Sequence, residues 1–451
     1  MRLYLWVKDR LDPGRPNLIL DPDFSVSYDI IDKLKNEGYI IEDLRDKPIQ
    51  QQKKRIIEIY SKHSKFSGII LISSVKESKI YSIIKNSGRI NTLSNFPTST
   101  KINLNEIHSY IDKISSDINS VFRWIKLAKT IGNLKYQAKD IESRKSINLF
   151  LERVVDPKFF DFVFNSYNKL FTYGSKFLTI NKAIDYIISL VKNNSTEKVL
   201  LVVIDCMAWD DYFSIKDFFE KTCDRAIFAM IPTLTFYSRI SLCSGLIPRN
   251  FDNLTINDEK KLFYQKISNE LGKELGIYIK NNIEELKNAI SQDNHKMICF
   301  IYSKFDEVIH SEDVNKNHAY HKLQELFKRD LYDIIKTAKD LGWRVFITSD
   351  HGNIETFEKG FHLPKYLDYE GKRCGRVDDL NLIDESIKNQ LIIVEGKKFR
   401  HLNNNDIFIF PKKRIPLSKE SYSITHGGIT IEELIIPFVE VLEVKKIVNR
   451  S

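Results

Sequence analysis

Four apolar runs in the second half of the chain constrain its fold more than anything else in it. VLLVVID ends in Asp205, AIFAMIP leads into Thr233, Thr235 and Ser238, MICFIYS is followed by Asp306 and His310, and RVFITS is followed by Asp350, His351 and Gly352. Each is a short continuous apolar stretch rich in β-branched and aromatic residues, which predicts a strand buried on both faces. In an open α/β sheet, ligands bind where the carboxyl ends of such strands emerge. Metal-capable side chains recur at that edge, and the segment SYSITHGG adds His426.

The first half reads differently. NLIL, YIIEDL and FSGIILISS alternate with a helical pattern over Ser27–Asn36 that stops near Gly38, and LYLWV (Leu3 to Val7) reads as a further strand. Strands alternating with helices predict a small doubly wound sheet over residues 1–100, with a helix expected after Ser74. No glycine-rich phosphate loop accompanies it. Apolar residues three and four apart, as in IHSYIDKISSDINSVFRWIKLAKTIGNL and from Ile180 to Val191, predict a helical connector over 101–195. The polar stretch NNSTEK marks the boundary to a larger α/β domain over 196–451. A chain of 451 residues is long enough for such a division.

Taken singly, the candidate residues are ambiguous. An aspartate after a strand is more often a helix cap than a ligand. Asp306 and His310 are four apart, a spacing that sets both on one helix face, yet exposed pairs share it. In Ser-Asp-His-Gly the glycine is expected to supply an unusual backbone angle that lets Asp350 and His351 converge, and the two glycines after His426 are read likewise. His318 and His321 read as surface or supporting residues, and Cys206 as packing. Together the candidates supply oxygens and imidazoles too many for one tetrahedral ion and enough for two. Such a set suits Zn²⁺, with Mn²⁺ or Mg²⁺ as alternatives.

The order and spacing of these residues resemble the alkaline-phosphatase superfamily, and within it the PglZ domain of phage-defence (BREX) systems. The resemblance runs from about Lys198 to the end, and IPTLTFYSRISLCSGLIP carries most of it as the nucleophile turn. It implies an alkaline-phosphatase-like sheet-and-helix sandwich, preceded by the small α/β domain and the connector. It also implies that Thr235 is the nucleophile, with Thr233 as runner-up. Asp205, Thr235, Asp350 and His351 would hold one divalent ion, and Asp306, His310 and His426 the other. The implied reaction is phosphoester hydrolysis.

The net charge of +9 suits a nucleotide or nucleic-acid substrate. Arg239, one helical turn after Thr235, could meet phosphate oxygens, and Asn353 could orient a ligand. Lys365, Lys372, Arg373 and Arg376, interleaved with Tyr366 and Tyr369, could hold a nucleic-acid backbone and stack bases. The expectation is a phosphodiesterase or nuclease, with a phosphomonoesterase, or a metal-stabilised scaffold among defence or signalling proteins, as the alternatives. Five unpaired cysteines and no apolar run near the roughly 18 residues of a membrane span predict a reducing cytoplasm and no membrane.

Overall fold

The computed structural model describes residues 7–8, 11, 16–20, 26, 28–45, 47, 49–61, 69–73, 90–92, 111, 117–172, 179–194, 196–272, 274–292, 294–311, 315–360, 368–370, 372–418 and 422–446. They fall into two compact units, one of residues 1–113 with 137–157 and one of residues 114–136 with 158–451. The expected connector is therefore divided between them. Trp124 of the helix Val121–Gln137 packs on Phe162, and Phe162 on Phe228 of the larger sheet, so this aromatic stripe is absorbed by the second unit's core.

The first unit is built on a parallel sheet of β1 (Asn17–Leu20), β2 (Ile40–Asp43), β3 (Ile69–Ser73) and β4 (Ile90–Thr92), in the order β2-β3-β1-β4. Strands β1 and β3 are buried at every position, as continuous apolar runs require. Ile19, Ile70 and Ile72 pack against Ile30, Ile31 and Leu34 of the helix Tyr28–Asn36. Leu18, Leu20 and Leu71 pack against Ile56 and Ile59 of the helix Ile49–Ser61. Helices thus cover both faces, the doubly wound arrangement the sequence predicts. Residues 3–6 and the helix expected after Ser74 lie outside the described residues, and Val7, read as the end of a strand, is helical.

The second unit continues with β5 (Val199–Ile204), β6 (Phe219–Phe228), β7 (Gly276–Lys280), β8 (Met297–Tyr302), β9 (Arg344–Thr348), β10 (Ile354–Thr356), β11 (Asp368–Glu370) and β12 (Cys374–Arg376). It ends with β13 (Leu391–Glu395), β14 (Ile407–Pro411), β15 (Ser423–Thr425) and β16 (Ile435–Val444). Its main sheet has the order β6-β16-β9-β5-β8-β7. β9, β5, β8 and β7 are mutually parallel, and β16 runs antiparallel to both β9 and β6. Three of the four runs that led the sequence reading become β5, β8 and β9 at the centre, with β5 and β8 buried throughout, whereas the fourth, AIFAMIP, begins as the end of the antiparallel edge strand β6, which is only partly buried. The remaining strands form an antiparallel sheet, β11-β12-β14-β13, and a two-stranded ladder, β10-β15. No helix among the described residues is long and apolar enough to cross a membrane.

Candidate metal centre and nucleophile

Register decides what meets at the sheet edge. Ile204 pairs with Tyr302 and Val203 with Thr348, so Asp205 leaves the sheet level with Ser303 on one side and Asp350 on the other. Because β16 is antiparallel, its first residue, Ile435, pairs with the last residue of β6, Phe228, and the segment feeding it returns to the same edge. The β10-β15 ladder pairs Ile354 with Thr425, and isolated bridges join Thr233 to Gly427 and Lys372 to His426. His426 is thereby brought beside residues far from it in sequence.

One group forms around Asp205, Asp350 and His351, whose ligand atoms lie within 4.8 Å of one another. Asp350 Oδ1 accepts hydrogen bonds from the backbone N–H groups of Cys206 and His351, each at 3.0 Å. Asp205 Oδ2 accepts from Arg239 Nη1 at 2.9 Å. The other oxygens, Asp205 Oδ1 and Asp350 Oδ2, are buried without a hydrogen-bond partner. Thr235 opens the helix Thr235–Ser244, half-buried, with its Oγ1 3.1 Å from His351 Nε2. Thr233 is fully buried and its hydroxyl donates to the Gly428 carbonyl at 2.6 Å, which leaves Thr235 as the threonine at the group.

A second group lies alongside. Asp306 sits on the helix Lys304–Ile309, and His310 caps its end. His310 Nε2 is 3.2 Å from Asp306 Oδ1 and 3.1 Å from His426 Nε2. Asp306, His426 and the Cys206 thiol also place ligand atoms within 4.8 Å of one another. The rings of His351 and His426 stack at 4.2 Å and 23°, which joins the two groups.

Cations fit this arrangement. Burial, reinforced by the neighbouring Asp350 charge, pushes the Asp205 carboxyl well above its usual range, and burial also raises Asp350. Converging carboxylates with orphaned oxygens at a sheet edge lack positive charge, and Arg239 supplies part of it. Burial drives His351 and His426 the other way, toward the neutral imidazole that can ligate a metal. The groups could thus hold divalent ions through Asp and His.

Residues 185–441 match the BREX system PglZ alkaline phosphatase-like domain. The chain belongs to this family. The family description carries the coarse functional class with it, an alkaline phosphatase-like phosphoester hydrolase. No curated protein matches the chain. Among solved structures it is similar to murine ectonucleotide pyrophosphatase / phosphodiesterase 5, with 13% identity, a TM-score of 0.41, and coverage of 54% of this chain and 88% of that one. It is also similar to phosphonoacetate hydrolase from Sinorhizobium meliloti 1021, with 10% identity, a TM-score of 0.39, and coverage of 56% and 92%.

The residues expected to touch substrate in this PglZ domain are placed unevenly. Arg239 is buried, with Nε and Nη2 donating to Glu259 and Nη1 to Asp205, so its charge is directed to carboxylates. Asn353 is buried, and its Nδ2 donates to the Cys206 carbonyl at 2.6 Å and to Asp211 Oδ2 at 2.7 Å, holding the turn after β5. Arg373 turns inward, a correction to its expected place on a basic surface. It is 1% exposed and pairs with Glu433 at 3.0 Å, while its Nη1 donates to the Ile415 carbonyl. Lys372 is half-buried beside His426, and Arg376 is exposed and paired with Asp406. Lys365 and Tyr366 lie outside the described residues, as does the side chain of Tyr369. His318 and His321 are exposed, as read.

Gly352 is needed for a reason other than the one its motif suggests. The left-handed backbone is at Cys206 (φ 66°) and Gly427 (φ 104°), whereas a Cβ on Gly352 would meet the Glu432 carbonyl oxygen at 2.0 Å. The clash is with backbone, which cannot swing away, so Gly352→Ala is expected to destabilise the domain by about 3 kcal/mol or more, at the upper end of overpacking costs. A chemical denaturation midpoint equal to that of the wild type would contradict this close approach.

Sequence reasoning missed the polar supports. Glu433 accepts from the Gly428 N–H at 2.8 Å and from the Thr430 hydroxyl at 2.8 Å, fixing the turn that carries His426. Glu259 orients Arg239, and a fully buried Lys316 bridges Asp210 and Asp211. Only a Thr-x-x-Glu capping pattern at Thr430 and Glu433 hinted at the first.

Proposed function

We propose that this PglZ domain is a phosphodiesterase or nuclease acting on nucleotides or nucleic acid, with Thr235 as nucleophile and two divalent ions, zinc by ligand chemistry. Asp205, Thr235, Asp350 and His351 would hold one ion, and Asp306, His310 and His426 the other. Bound there, the ions would lower the cost of ionising a hydroxyl and neutralise charge around phosphorus. The observation that carries the reading is the placement of the Thr235 hydroxyl 3.1 Å from His351 in a cluster whose buried carboxylate oxygens lack partners.

Thr235 Oγ1 loses its proton to solvent and forms the new bond to phosphorus as the ester oxygen opposite departs and takes a proton from water, and attack of water on the resulting threonine ester restores the hydroxyl. The first turn of the helix Thr235–Ser244 has no side-chain cap, so its N–H groups are available to phosphate oxygens, with the helix dipole adding to the attraction. Arg239 sets the direction of Asp205 and balances its charge. Lys372, next to His426 through the backbone bridge, and the exposed Arg376 favour a substrate with charge beyond one phosphate. Family membership supports a setting in phage defence, among protein partners of such a system.

The test is hydrolysis of a chromogenic phosphodiester and the matching monoester by the purified chain. A chelator should lower turnover by about 10²-fold or more, reflecting the several kcal/mol such ions supply, and added zinc should restore it. Turnover that is indifferent to chelation would overturn the metal-dependent reading. Preference for the monoester would shift the substrate class and leave the chemistry.

A further inference from the structure

The turn after β5 carries a side chain that the ligand sets above do not use. Cys206 follows Asp205 directly, is fully buried, and holds a left-handed backbone at φ 66°, where a β-substituted residue other than Asn or Asp is uncommon. Its conformation is over-determined from both sides. Its N–H donates to Asp350 Oδ1 at 3.0 Å and its carbonyl accepts from Asn353 Nδ2 at 2.6 Å. The backbone is thus clamped by a member of the first group, and the thiol, which donates to the Gly352 carbonyl at 4.0 Å, lies within reach of the second.

There the thiol shares a cluster with Asp306 and His426, all three ligand atoms lying within 4.8 Å of one another. Asp306 Oδ1 is buried, with His310 Nε2 3.2 Å away, and His426, only 6% exposed, leaves Nδ1 without a hydrogen bond. One sulfur, one carboxylate oxygen and one imidazole is a mixed set that hard ions such as Mg²⁺ do not favour and that Zn²⁺ and softer ions do.

We propose that Cys206 is a thiolate ligand to the ion held by Asp306, His310 and His426, and that it makes this position selective for thiophilic divalent metals. The inference rests on the two-metal reading above. Binding would release the thiol proton to solvent as the metal–sulfur bond forms, with no change of oxidation state. The second position would then differ from the first, whose ligands are oxygen and nitrogen alone.

The experiment uses the full chain, stripped by chelator and titrated with cadmium, then with zinc and magnesium in separate calorimetric runs. The expected result is a sulfur-to-cadmium charge-transfer absorption in the ultraviolet that saturates at one equivalent and is lost in Cys206→Ser and Cys206→Gly. The glycine variant also relieves the left-handed backbone, so it guards against a folding defect in the serine variant. Zinc affinity at one of the two positions should fall about tenfold or more, at least what an outer partner of a ligand supplies, with magnesium affinity unchanged. Two bound ions with no such band, or a band that survives in both variants, would overturn the thiolate assignment and leave the two-metal reading standing. Failure to bind any divalent ion would overturn both.

Discussion

Thr235→Ala is expected to lower phosphoester turnover by at least about 10³-fold, because in the proposed mechanism it deletes the attacking hydroxyl while every other group stays in place. Thr233 should not rescue it, since its buried hydroxyl is committed to the Gly428 carbonyl. The fold should be little disturbed. Thr235 is half-buried at the start of its helix and its side-chain hydrogen bond is to His351, so the unfolding midpoint should move by less than about 3 °C. Thr235→Ser, which keeps a hydroxyl, should retain a measurable fraction of the rate. Single-turnover assays on the three proteins separate loss of chemistry from loss of binding. An alanine variant with the wild-type rate would remove Thr235 from the nucleophile role.

The second large effect is on stability. Lys316 is fully buried, with its ammonium 2.8 Å from both Asp210 Oδ2 and Asp211 Oδ1. Asp210 also accepts from the Tyr320 hydroxyl, and Asp211 from the Ala208 N–H and from Asn353. Lys316→Met fills much of the same volume but leaves two carboxylates buried without their cation. Breaking a buried pair in this way costs about 3–5 kcal/mol, which at this domain size lowers the thermal midpoint by roughly 10 °C. Fluorescence of Trp209, buried next to Asp210, reports on the same element. Because Asp211 and Asn353 hold the turn carrying Cys206, metal affinity should weaken along with stability. An unshifted midpoint would mean that the carboxylates find other partners.

The contrast between these residues explains what could be read in the sequence. Asp205, Asp306 and Asp350 were legible because each stands just past a continuous apolar run, and three such runs in one chain leave a parallel sheet as the natural packing. His426 was legible as a candidate from its two following glycines, but its place beside the others came only through resemblance, since it reaches the site by the antiparallel return of β16 and the β10-β15 ladder, pairings no local pattern encodes. The Asp210–Lys316 contact was invisible for the same reason, as it joins elements more than a hundred residues apart. Arg373 misled because a basic residue in a polar loop reads as exposed until Glu433, 60 residues on, takes its charge. Gly352 was picked out correctly but for the wrong cause, because close approach of a distant backbone leaves the same mark in a sequence as a special dihedral. The helices between 117 and 193 were read as helices, but their allegiance depended on aromatic contacts such as Phe162 with Phe228.

Elemental analysis of the purified chain, beside Asp350→Ala and Asp306→Ala, tests the central claim most directly. The account predicts two tightly held divalent ions in the wild type and the loss of one in each variant, with circular dichroism unchanged. A wild-type protein that retains no divalent ion after growth and dialysis in zinc would contradict it.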